Sequence, residues 1–182
     1  MIEGKLVRLR ALRAEDLDAQ LRWRNDPEVA HWATGGHPGF GPVTRAAMER
    51  FHEGRLREDP REGATFTVEE LGGGRPVGMA DYRGLDPFAG RATVGITIGE
   101  RDLWGTGHGG EALSLLLDHL FGACRLHRVE LETWSGNERA QRAFRRLGFT
   151  EEGRRRAAVL VGGEWHDEVL FGLLREEWEA AR

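Results

Sequence analysis

The sequence predicts an α+β fold built on one mixed, mostly antiparallel sheet, and three observations carry that expectation. Helical spacing marks the early segments, short alternating runs joined by glycine and proline turns follow, and a strand-helix-strand-helix unit precedes a closing hairpin. At 182 residues the chain suits one well-cored domain, residues 1–182, and it shows no linker, repeat or low-complexity segment.

Residues 5–10 alternate polar and apolar side chains, as a half-buried strand does. Residues 15–25 place Leu17, Leu21 and Arg24 at helical spacing, and Asp26 with Pro27 stops them. A glycine-rich turn over residues 35–41 leads to Thr44, which can cap a helix with Met48, Phe51 and Leu56 on one face. Residues 64–71 and 76–82 read as paired strands around Gly72, Gly73 and Gly74. A turn over 86–90 then opens a strand over 92–98, where Val94, Ile96 and Ile98 alternate cleanly. A helix over 109–121 carries Ala112, Leu115, Leu116, His119 and Leu120 on overlapping apolar faces. A strand over 129–134 and a helix over 137–146 follow, with Gly148 placed to end that helix. Residues 153–160 and 165–173 form a hairpin turned at Gly162 and Gly163, ahead of a short amphipathic tail.

Composition narrows the function classes. Hydrophobic residues make up 40% and charged residues 31%, and no apolar run approaches the roughly 20 residues of a bilayer span, so no membrane partner is expected. The first residues show no basic segment followed by an apolar one, which points to the cytoplasm. The formal net charge of -4, with both signs interspersed, lacks the footprint of a nucleic-acid binder. Cys124 is alone, so neither a disulfide framework nor a thiolate zinc cage is available.

The glycine-rich turn Gly105, Thr106, Gly107, His108, Gly109 and Gly110 follows a strand and opens a helix. Glycines let a ligand approach the backbone, and free N–H groups with the helix dipole favour an anion such as a pyrophosphate. Gly105, Gly107 and Gly110 also satisfy a dinucleotide fingerprint, with Glu130 or Glu132 as the ribose acid. Against that reading, residues 100–104 separate the strand from the first glycine, and too few strand-helix steps follow for a doubly wound sheet.

Residues 99–113 and 137–149 together resemble the two acetyl-CoA motifs of the GNAT N-acetyltransferase superfamily. The likeness extends over nearly the whole chain. Residues 6–16, 23–29 and 163–169 are similar to the branch containing the Rim-type ribosomal-protein N-terminal acetyltransferases. The resemblance implies helices on both faces of the sheet and acetyl-CoA as co-substrate, its pyrophosphate on the amides of residues 105–110. Pantetheine would run beside the strand ending at Ile98 and Gly99, which in this family splays from its neighbour and leaves amides unpaired. Asn137 and Ala140 fall where the second motif contacts the cofactor, although Asn137 also reads as a plain helix N-cap. A homodimer is compatible with the family.

Acetylation by this fold implies direct attack of a neutral amine on the thioester in a ternary complex, with backbone amides near Ile98 and Gly99 on the oxyanion. Many relatives place a tyrosine where this chain has Phe144, and it can protonate the leaving sulfur; phenylalanine cannot. Ser135 or a water is the substitute donor. Some relatives carry a glutamate as general base near Thr93; here the nearest acid in the segment is Glu100, which also reads as a solvated turn residue. Cys124 ends an amphipathic helix with no recognisable histidine and acid around it, and reads as packing. His108, His166 and Asp167 lack the spacing of a metal site, so no metal is expected. Trp32, Trp165, His166 and Asp167 are the acceptor-side candidates, with an ordinary hairpin as the competing reading. The acceptor is a small-molecule amine or a protein N-terminus. A catalytically silent acyl-CoA-binding module is the second function class.

Overall fold

A computed structural model of the chain describes residues 1–35 and 42–181. The glycine-rich turn expected over 35–41 therefore lies outside the described residues except for Gly35, which ends a helix in the left-handed region at φ 67°.

Eight strands form one sheet in the order β1-β2-β3-β4-β5-β6-β8-β7. They are β1 (Ile2–Glu3), β2 (Val7–Ala11), β3 (Gly63–Glu70), β4 (Pro76–Asp86), β5 (Arg91–Ile98), β6 (Arg128–Trp134), β7 (Thr150–Val161) and β8 (Glu164–Leu174). Every pairing is antiparallel except β5 with β6. With one parallel pair, the sheet has no doubly wound half, which removes the structural basis of the dinucleotide reading. Gly162 and Gly163, at φ 59° and 88°, make the tight turn of the β7–β8 hairpin.

Alternation along the strands gives the sheet two different faces. On one, Val7, Leu9, Val68, Val94, Val129, Leu131, Phe171 and Leu173 pack with α4 (His108–Asp118), whose Ala112, Leu113, Leu116 and Leu117 are buried. Phe144 of α5 (Glu138–Arg146) and Trp178 of α6 (Arg175–Ala180) complete that core. On the other face lie α1 (Leu17–Asn25), α2 (Pro27–Thr34) and α3 (Arg45–Leu56), over a largely polar surface. There Arg10, Asp16 and Glu69 are buried as a network: Arg10 holds Asp16 in a fork at 2.7 and 2.8 Å and also pairs with Glu69. Thr67 donates to Asp16 at 2.7 Å.

Three expectations need correction. Asp26 and Pro27 do end α1, but Asp26 Oδ1 also accepts the N–H groups of Glu28 and Val29 and starts α2, with Pro27 in its first turn. On α3, Met48 and His52 face inward while Phe51 and Leu56 are 47% and 43% exposed. The inward face of α3 meets polar partners: His52 meets Gln20 Oε1 of α1 at 2.8 Å and the Arg13 carbonyl at 3.0 Å. The helix expected over 109–121 ends as α4 at Asp118 and continues as a π turn, His119–Ala123.

Candidate active site

β5 and β6 are paired only at Arg91 with Arg128, Ala92 with Val129 and Thr93 with Glu130. Beyond Thr93 they part, although β4 stays on β5 as far as Ile98 and β8 stays on β6 as far as Trp134. A gap therefore opens in the middle of the sheet. Gly99 N–H donates to Val77 O at 2.9 Å, on the β4 side. An antiparallel ladder alternates, so the N–H groups of Ile96 and Ile98 are aimed into the gap. The Ile98 carbonyl points the same way and accepts the Trp104 indole N–H at 2.8 Å. Because the Gly99 and Glu100 amides both donate to Val77 O, the Gly99 amide expected on an oxyanion is engaged in the sheet.

The glycine turn stands at the open end of this gap. Gly105 (φ 79°) and Gly107 (φ 100°) are both in the left-handed region, and Gly107 is the residue before the first turn of α4. A Cβ at Gly105 or Gly110 would meet nothing within 4 Å, so open space adjoins the turn at both positions. Gly109 lets α4 close on β5, since its Cβ would lie 3.2 Å from Ile98 Cγ1. Thr106 Oγ1 donates to the Leu103 carbonyl at 2.6 Å and so accepts from His108 Nδ1 at 2.8 Å. The side chains of Thr106 and His108 thus brace the turn, and its backbone is what it offers a ligand.

Sequence reasoning missed the brace beneath it. Glu111, in the first turn of α4, accepts the backbone N–H groups of Lys5, Leu6 and Val7 at 2.9, 2.7 and 2.9 Å. Burial pushes this carboxyl upward, but the three N–H groups outweigh it and hold it below its ordinary value. The helix that carries the glycine turn is thereby tied to the start of β2, a link between segments 105 residues apart.

On the β6 side, Asn137 caps α5 by accepting Ala140 N–H at 3.3 Å, and its amide donates to the Trp32 carbonyl at 3.3 Å. Both functions of its side chain are structural. Phe144 is 6% exposed and packs between Phe149 and Phe171, at ring distances of 6.2 and 5.7 Å. Ser135 is half-buried at the turn between β6 and α5, with its N–H on the Asp167 carbonyl at 2.8 Å. Glu100 faces α1 and β4: it accepts the Trp23 indole N–H at 2.9 Å and pairs with Arg22 and Arg75. It lines a pocket of about 530 Å³ with Arg22, Trp23, Asp26 and Asp102.

The acceptor candidates separate. Trp32 stacks on Trp134 at 5.7 Å, His31 stands edge-on to both rings, and His166 meets Trp134 at 5.1 Å. Trp165 is 66% exposed on the hairpin, since alternation turns it away from the face that His166 occupies. Asp167 Oδ1 accepts the N–H of Ala157, which sits at φ 46° in a β7 irregularity, so this carboxylate supports the hairpin. Trp134 was not singled out in the sequence; it closes a strand like any other aromatic residue.

Among the described residues, no three His, Cys, Asp or Glu side chains gather as a metal site would require. Cys124 Sγ does lie 3.6 Å from His119 Nε2, but burial pushes the thiol up and the imidazole down, which opposes a thiolate pair.

The match to a family model described as "Acetyltransferase (GNAT) domain" spans residues 7–150. YdaF of Bacillus subtilis (strain 168), whose name suggests a ribosomal N-acetyltransferase, is 27% identical over 181 residues, covering 97% of this chain and 95% of that protein. A crystal structure of a GCN5-related N-acetyltransferase from Brucella melitensis matches with a TM-score of 0.80 at 28% identity, over 98% of this chain and 80% of that one. The spermidine N-acetyltransferase of Vibrio cholerae, in complex with CoA and spermine, shares the fold with a TM-score of 0.84 at 19% identity, over 97% of this chain and 99% of that one. The family match covers most of the chain, and the chain belongs to the GNAT acetyltransferase family.

Proposed function

We propose that this protein transfers an acetyl group from acetyl-CoA to a primary amine by direct attack in a ternary complex. The observation that carries the reading is the gap between β5 and β6 ending at the glycine turn of α4. A pyrophosphate fits the amides of residues 105–110, where Gly105 and Gly107 hold left-handed backbone and open space adjoins Gly105 and Gly110. Pantetheine fits the gap, whose β5 edge offers the N–H groups of Ile96 and Ile98 in place of a strand partner. Bound there, acetyl-CoA supplies an activated acyl carbon within reach of those N–H donors.

The attacking amine must be neutral, against a reference pKa of about 8 for an α-amine and about 10.4 for a lysine-type amine. The leaving sulfur must gain a proton, and expelling thiolate near pH 7 forfeits roughly 2 kcal/mol given a thiol pKa of about 8.5. Phe144 cannot give that proton; the Ser135 hydroxyl, on the β6 side between Trp134 and Asn137, can. Relatives carry names for two acceptors, an alanine of ribosomal protein uS5 and spermidine. The acceptor here is drawn from the same chemistry, a primary amine that arrives as a cation.

Thiol release matched one-to-one by acetylated amine, followed with spermidine and with peptides beginning in alanine, tests the proposal. CoA binding without thiol release would make the chain a silent acyl-CoA module instead. Phe144→Tyr is expected to fold and to leave turnover unchanged or higher, because the ring stays and a donor is added. A hundredfold fall in kcat would show that the ring faces the core alone.

A further inference from the structure

Three charged side chains converge where β5 and β6 part, on the face that α1 covers. Asp81 is the cross-strand partner of Gly95 and Arg83 that of Thr93, while Glu132 lies two residues past Glu130, the last β6 partner of β5. Cross-strand partners and alternate residues share a face, so all three side chains stand on the same side of the sheet. Gly99 marks that side as the one under α1, because a Cβ there would run into the Trp23 indole.

Arg83 joins the two carboxylates, with Nη1 3.2 Å from Asp81 Oδ2 and Nη2 2.6 Å from Glu132 Oε1. Gly95 makes the arrangement possible: a Cβ would lie 2.6 Å from Asp81 Oδ1 and 3.3 Å from Arg83 Nη1. A cation therefore rests between two carboxylates, over a strand position without a side chain, at the vertex of the gap. The guanidinium is the more exposed partner, with its side chain 46% accessible against 20% for Asp81 and 35% for Glu132. Two residues beyond Glu132 on the same face, the Trp134 indole N–H is buried with no hydrogen-bond partner among the described residues. That donor is an independent sign that something polar completes this end of the gap.

We propose that Asp81 and Glu132 receive the acceptor ammonium, that Arg83 holds its place in the empty site, and that Glu132 takes its proton. The inference rests on the acetyltransferase reading of the gap. The ammonium gives one proton to Glu132, and the freed lone pair forms the C–N bond to the acyl carbon as the C–S bond breaks. The second nitrogen proton leaves with the sulfur, and Glu132 returns the first to solvent. Two carboxylates at the attack point select cations and repel an amine with its own carboxylate beside it. Polyamines and peptide N-termini fit; free α-amino acids do not.

Steady-state kinetics with spermidine, alaninamide and free alanine, together with calorimetry of CoA, test this on Asp81→Asn, Glu132→Gln and Arg83→Gln. Asp81→Asn and Glu132→Gln should raise the amine KM about tenfold or more with CoA affinity unchanged, and Glu132→Gln should flatten the acid limb of the kcat profile. Arg83→Gln should lower the amine KM, since a competing cation is removed. Glu132→Asp should restore part of the lost activity. Free alanine should remain unreacted throughout. A purely structural ion triad moves all three variants the same way, and that result, or no change in any of them, overturns the assignment. If the wild type neither binds CoA nor releases thiol, the acetyltransferase reading itself fails; if it does both while the variants match it, only this assignment fails.

Discussion

Gly107→Val should weaken CoA binding by at least about a hundredfold, the loss of two or more charge-assisted hydrogen bonds. Gly107 sits at φ 100° and ψ -17°, immediately before the first turn of α4. A non-glycine residue in left-handed backbone costs about 1–2 kcal/mol, and a β-branched one is the least tolerated. Space is not the obstacle, because the nearest atom to a Cβ there is Leu6 Cδ1 at 3.5 Å. The backbone is. Relaxing the turn re-aims the amides of residues 107–109, which a pyrophosphate requires. Gly110→Ala separates cofactor loss from misfolding. Gly110 is helical and its Cβ meets nothing within 4 Å, so alanine should stabilise α4 by about 0.5–1 kcal/mol while placing a methyl group in the cofactor's path. Calorimetry with CoA and thermal melts on both variants check the pair; unchanged CoA affinity in a folded Gly107→Val protein refutes the pyrophosphate assignment.

Arg10→Met should cost about 3–5 kcal/mol of stability, or roughly 10 °C in Tm, because it strands buried carboxylates. Arg10, Asp16 and Glu69 are 6%, 2% and 3% exposed, and the guanidinium touches both acids. Burial pushes Asp16 upward, yet the bonds from Arg10, Thr67 and the Arg13 N–H outweigh it and hold the carboxyl below its ordinary value. Glu69 is lowered in the same way, burial again being opposed by Arg10 and Arg8. Depressed folded values mean that this stabilisation is complete above the unfolded carboxylate range near pH 4 and is lost as pH falls through the folded values. In the variant Asp16 loses its cation and gains from protonation, so the deficit against wild type should shrink between pH 7 and pH 4. Denaturant melts at the two pH values measure it; an equal deficit at both would mean that Arg10 contributes packing and no charge.

These two sites differ in how far the sequence exposed them. The glycine turn and the Asn137 cap were legible because their signals are local: left-handed glycines, a capping side chain and a helix stop at Gly148 all act within one turn of the chain. The second helix was not, because Pro27 reads equally well as the end of one helix and the first turn of the next. Phe51 and Leu56 misled for another reason, since apolar spacing assumes an apolar partner, whereas α3 turns His52 inward onto Gln20 of α1. The charged triad at the vertex of the gap was illegible altogether. Asp81, Arg83 and Glu132 meet only through cross-strand register, 49 residues apart for the Arg83–Glu132 pair, and nothing along the chain announces it. Glu111 is hidden in the same way, its partners being backbone N–H groups that carry no residue signature. Asp167 and His166 are adjacent in the sequence but have different contacts, because neighbours on a strand face opposite ways.

Initial velocities of thiol release, with acetyl-CoA and an amine such as spermidine both varied, test the central claim most directly. Attack in a ternary complex on a thioester held in the β5–β6 gap predicts intersecting reciprocal plots, acetylated amine equal to thiol released, and no acetylated protein when the amine is left out. Parallel plots with an acetylated enzyme, or CoA binding with no thiol released for any primary amine offered, would contradict it.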